Sequence, residues 1–163
     1  MFELKPLSAS AIPSALAKAE RYRLLNEPVE AESICLDILA VDPGNQDALT
    51  TMILAITDQF RDHEGGHARR AEQFLPRLGS DYQRAYYGAL IKERRARADW
   101  LHGHASVAHG YLVEAMHGFD RAIALRPAGN DDAVLRWNAC VRLLQRIPEP
   151  HAHEHVEAAI TSE

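Results

Sequence analysis

Apolar residues recur along this chain at intervals of three and four, the spacing of one face of an α-helix, and the breaks between runs fall on Gly, Pro and Asn. Ile12, Leu16, Ala19, Tyr22 and Leu25 make the first stripe, with Ser10 as its expected cap and Pro13 in its first turn. Asn26 punctuates it, and Pro28 opens a second helix carrying Ala31, Ile34, Cys35, Ile38 and Leu39. "DPGN" at 42–45 closes that helix and supplies Asn45 as the next cap. A third helix over 46–61 shows Leu49, Met52, Ile53, Ile56 and Phe60, and Gly65 with Gly66 breaks it. A fourth over 67–78 carries Ala71, Phe74, Leu75 and Leu78, its end shortened by Pro76, before Gly79 stops it and Ser80 caps the next. From 81 to 109 the pattern predicts a single long helix of roughly 40 Å at 1.5 Å per residue. Its middle, "KERRAR", is charged all round and is expected to project beyond the packed body or to meet a partner. Gly110 then ends it, 111–125 forms a sixth helix, and Asn130 caps a seventh that runs to Leu144. No segment alternates apolar and polar residues as a half-buried strand does, so the fold class is all-α, in antiparallel pairs joined by short turns.

The chain also repeats itself. In "EAMHGFDRAIALRPAGN" the residues Ala115, Phe119, Ala122 and Pro127 stand four, three and five apart, and Ala31, Cys35, Ile38 and Pro43 of "EAESICLDILAVDPGN" have the same intervals. This spacing resembles the second half of a tetratricopeptide repeat, whose helix pair has small, aromatic and proline positions at these intervals. Ahead of the first copy Ala19 and Tyr22 fit the small and aromatic positions of the family's first helix. Ahead of the second, Gly103 fits the small position, Ser106 stands where Tyr is usual, and Gly110, Leu112 and Glu114 look like the link into its second helix. In the middle copy either Ala71 or Ala68 takes the small position. The resemblance implies a right-handed α-α superhelix of about three helical hairpins over 11–146, with 130–146 as a capping helix. It leaves 1–10 as an N-terminal extension and 147–163 as a His-rich tail.

Composition narrows the function classes. Hydrophobic residues at 47% and charged residues at 25% are ordinary for a globular protein, and 163 residues suffice for one domain with a real core. A net charge of -5 argues against a nucleic-acid footprint. The opening residues lack the pattern of a secretory leader and no run is apolar enough to span a membrane, so a cytoplasmic location and no membrane partner are expected. Cys35 and Cys140 lie within apolar stripes, where buried reduced thiols are expected rather than a bridge.

Few residues suggest chemistry. His63, Glu64 and His67 in "HEGGH" match the zinc-hydrolase pattern HExxH, which needs a continuous helix to aim both imidazoles at one metal. Two adjacent glycines oppose that helix by about 0.8–1 kcal/mol each, and the segment is expected to be a loop. His151, His153 and His155 of the tail suit weak metal capture rather than a built site, and His102, His104 and His109 suit polar packing. No nucleophile motif or phosphate loop is recognisable, so neither catalysis nor a cofactor is expected. The basic middle, from Arg69 to Arg97, is a solvated face or a dock for an acidic partner.

If the family resemblance holds, another protein or peptide binds on the concave face made by the first helix of each pair. By helical position that face comprises Glu20 and Arg23, then Thr50, Leu54 and Thr57, then Arg97, Trp100 and His104, and finally Asn138 and Arg142. Leu54 and Trp100 are equally suited to packing the core. The Lys and Asn set with which some family members hold a terminal carboxylate is not found here. The alternatives are a zinc-dependent hydrolase built on His63, Glu64 and His67 and a self-associating assembly through the charged long helix.

Overall fold

The structure, a computed structural model, describes residues 2–61 and 67–148. Among these residues every regular element is helical: α1 (Ile12–Leu24), α2 (Pro28–Val41), α3 (Gln46–Asp58), α4 (His67–Glu72), α5 (Asp81–Leu101), α6 (Ala105–Leu125) and α7 (Asp132–Leu144), with short 3-10 turns at Ala9–Ala11 and Leu75–Arg77. None of these helices is long and apolar enough to cross a membrane.

Local chemistry fixes most of the boundaries. Pro13 and Pro28 stand in the first turns of α1 and α2, where a missing N–H is harmless. The Asn45 side chain accepts from the Ala48 amide at 2.9 Å and Ser80 from the Gln83 amide at 3.1 Å, each satisfying an otherwise orphaned donor. At α1 the expected cap fails: the preceding residue is Ala11, the start carries no side-chain cap, and Ser10 falls inside the 3-10 turn. Asn130 caps from one place further out than expected, its Oδ1 accepting from the Asp132 amide at 3.0 Å. Pro76 acts as its chemistry requires, and α4 gives way to the 3-10 turn around it.

The expected single helix over 81–109 is instead two helices, each of 21 residues. α5 ends because Gly103 adopts φ +82°, in the left-handed region. The His104 amide then donates to the Asp99 carbonyl at 2.9 Å and the Gly103 amide to the Trp100 carbonyl at 3.1 Å, the paired bonds of a Schellman motif. Asn26 does the same after α1, with φ 61°, Glu27 bonded to the Tyr22 carbonyl and Asn26 to that of Arg23. Gly103 is therefore a turn residue equivalent to Asn26, not to Ala19, and Gly110 lies inside α6. Residues 97–127 consequently hold only the last turn or so of α5 followed by α6, rather than a hairpin matching 11–43.

Both registers nonetheless bury the same stripe. With Gly103 set on Asn26, Ala96 falls on Ala19, Ala108 on Ala31, Leu112 on Cys35 and Ala115 on Ile38, and all eight are 0% exposed. The proline spacing pairs Ala115, Phe119 and Ala122 with Ala31, Cys35 and Ile38, also 0% exposed. The two alignments differ by two helical turns, which shifts the face by only about 20°. The α5/α6 hairpin is thus a longer version of α1/α2, extended at the end away from its turn.

Consecutive helices pack on each other, and α1 also lies against α3 and α3 against α5. Two apolar cores result. One joins α1 to α4 and receives Ile91 and Ala98 of α5; the other joins α5, α6 and α7 and receives Leu54 of α3. α5 is the wall between them. Its "KERRAR" stretch therefore does not project: Glu93 and Ala96 are wholly buried, and each of its four cations is only partly exposed. Both cysteines are buried and unbridged.

Candidate interaction groove

The packing of α1 on α3 and of α3 on α5 brings the late turns of these helices together, and the first turns of α7 join them. Between them lies a groove of about 340 Å³ lined by Arg23, Leu24 and Asn26 of the first hairpin, by Thr57, Asp58, Phe60 and Arg61 at the end of α3, by Arg94, Arg97 and Ala98 of α5, and by Arg136 of α7. Five of these eleven residues are arginines, and one is acidic.

Two carboxylates hold four of the five arginines in place. Asp58 is shared between Arg23, whose Nε donates to it at 2.8 Å, and Arg94. Arg94 also donates to Thr57 Oγ1 at 2.7 Å and to the Leu54 carbonyl at 3.1 Å, clamping α5 onto the end of α3. Burial is the main influence on its guanidinium and draws the pKa below its ordinary value, against the opposing pull of Asp58. Glu93, at 0% exposure, is shared between Arg97 at 2.8 Å and Arg136 at 3.6 Å, and its Oε2 accepts no hydrogen bond. Burial works against the charge of Arg136 as well, but Glu93 and a hydrogen bond to Tyr86 carry its pKa above the ordinary value. Asp58 thus ties α3 to both α1 and α5, Glu93 ties α5 to α7, and each Arg–carboxylate–Arg group keeps one positive charge in excess.

Of the residues expected on the inner face, Arg23, Thr57 and Arg97 line this groove. Leu54 contributes its carbonyl to Arg94, while its side chain and that of Trp100 pack against the second core. Thr50 donates to the Gln46 and Asp47 carbonyls, both at 3.1 Å. Glu20, Asn138 and Arg142 are exposed outside the lining, and His104 sits at the α5–α6 turn, 3.6 Å from Asp99. From α7 the groove takes Arg136 instead. That residue occupies the stripe Ala133, Arg136, Cys140, Leu143, and Glu93 likewise stands between Ala89 and Ala96. A charged residue inside an apolar stripe, once on each of two helices, is the sequence signal that marks this pair.

The other candidates part company. His63 and Glu64 lie outside the described residues, as do His151, His153 and His155; His67 opens α4 with its Nδ1 3.1 Å from Arg70. His102 and His109 belong to different elements, since the turn at Gly103 separates them, and His102 Nδ1 lies 2.8 Å from the Ala98 carbonyl. The remaining charges of the basic stretch are engaged locally, Lys92 with Glu114 at 2.6 Å and Arg95 with Asp99 at 2.8 Å.

Comparison of the chain with protein-family models, with curated proteins and with solved structures gave no match.

Proposed function

We propose that this chain is a non-catalytic interaction module, an adaptor or scaffold of tetratricopeptide type that holds a peptide or partner helix against its inner helices. The observation that supports it best is that α1, α3, α5 and α7, the first helix of each successive pair and the helix that follows them, all contribute to one groove. Stacked helix pairs bury their apolar faces against one another and leave one edge of the stack as a continuous binding surface. On this account α1/α2, α3/α4 and α5/α6 are three repeats of a right-handed superhelix, and α7 caps the last.

The groove's chemistry favours holding over reacting. Its titratable groups are guanidiniums, which keep their protons throughout the range in which enzymes work, and a single carboxylate already shared by two of them. Proton transfer needs a group poised nearer neutrality. The thiols, the strongest nucleophiles in the chain, are both buried, with pKa values pushed up to about 12 chiefly by that burial.

A photo-crosslinking amino acid tests this reading. At position 24, where Leu24 lines the groove and is 89% exposed, it should capture a discrete partner in cells; at position 36 on α2, where Leu36 is 54% exposed away from the lining, it should not. Equal capture from both positions, or capture from position 36 alone, would refute docking at the inner face.

A further inference from the structure

The groove is positively charged on a protein that is negative as a whole. Among the described residues, five arginines and the two carboxylates that four of them share leave three positive charges around one opening, although the chain carries -5 overall. Such a contrast steers an anion toward the opening and repels it elsewhere. Three of the arginines, Arg61, Arg97 and Arg136, are placed to receive it. Glu93 is wholly buried, whereas the side chains of its partners Arg97 and Arg136 line the groove and remain 39% and 37% exposed, so both keep surface open to an incoming anion. Arg61, exposed at the rim, has no carboxylate within salt-bridge reach among the described residues.

We propose that the occupant of this groove is an unphosphorylated acidic segment of a partner protein, its Asp and Glu carboxylates received by Arg61, Arg97 and Arg136 and an adjoining apolar side chain laid against Leu24 and Ala98. The planar fork of a guanidinium matches a carboxylate in two parallel hydrogen bonds, which suits a set of arginines better than a set of lysines. Leu24, 89% exposed at the edge of the groove, supplies the apolar contact. A nucleic acid fits less well. Phe60 is the aromatic residue of the lining, and at 4% exposure it offers no platform on which a base could stack.

This inference rests on the inner face being a docking surface, and its test separates the two. The full chain is titrated, by fluorescence anisotropy, into a short labelled peptide of Asp, Glu and Leu. The comparison probes are the same peptide with Lys in place of the acids, a version with phosphoserine in place of the acids, and a single-stranded RNA oligonucleotide. Binding of the acidic peptide should exceed that of the Lys peptide at least ~10-fold and weaken steeply with salt. Arg61→Glu and Leu24→Glu, both at exposed positions that leave the core untouched, should each weaken it roughly 5-fold or more. Acidic and Lys peptides bound alike, full affinity in both variants, or tighter binding of the phosphopeptide or the RNA would each overturn the inference. If any of these is found while the crosslinker at position 24 still captures a discrete partner, docking stands and only the acidic occupant is wrong.

Discussion

Glu93 owes its burial to two arginines at once, and this sharing makes a measurable prediction. Arg97→Ala or Arg136→Ala alone leaves the carboxylate one counter-ion and should cost about 1 kcal/mol in urea unfolding. Both together strand a buried charge, and the double variant should lose about 1 kcal/mol or more beyond the sum of the single losses. Simple additivity would mean that the two arginines do not share this load. The thiols make a second prediction. With Cys35 and Cys140 held at about 12 against an ordinary 9.0, neither should react with a thiol reagent at pH 8 until the chain is unfolded. The sign follows from the raised folded value: the stabilisation is complete below about pH 9 and is lost as pH climbs from there toward 12, because only the unfolded chain ionises readily. Prompt labelling at pH 8 without denaturant would contradict this burial. Periodicity alone marked both cysteines as buried, since each lies in an apolar stripe. It could not pair Arg94 with Asp58, because two residues so far apart in sequence meet only when α3 and α5 are placed side by side.

The turn at Gly103 shows where periodicity stops being informative. The stripe of α6 continues that of α5 closely enough that the charged and small residues between 92 and 110 look like one uninterrupted helix, and two glycines, Gly103 and Gly110, compete to end it. The choice is made by a backbone bond that composition does not record, the His104 amide reaching the Asp99 carbonyl. Two substitutions in α6 test the outcome. Gly110 has nothing within 4 Å of a would-be Cβ and lies in mid-helix, so Gly110→Ala should stabilise the chain by about 0.5–1 kcal/mol. A Cβ on Gly118 would stand 2.8 Å from that of Ala89 on the facing helix α5, so Gly118→Ala should lower stability by about 1 kcal/mol even after the gain in helix propensity. Thermal denaturation of the two variants reads both signs, and a loss at Gly110 would put the turn back where the pattern first suggested it. The boundaries carried by side-chain caps, at Asn45 and Ser80, were legible because their chemistry is local.

Assembly of the helices gives the groove its character. Helices α1, α3, α5 and α7 meet through shared carboxylates as well as apolar contact, and the surplus of guanidinium charge is left in the groove, where the proposed partner would approach. The sequence carried the ingredients, above all the basic "KERRAR" stretch. It did not disclose that α5 would be enclosed on two sides, which turns a charged run from a solvated face into the lining of a cleft. Amide-resonance mapping of the isotopically labelled chain, titrated with the Asp, Glu and Leu peptide, tests this account most directly. Perturbations concentrated on the late turns of α1, α3 and α5 and the first turns of α7 are the predicted result; perturbations confined to α2, α4 and α6 would contradict it.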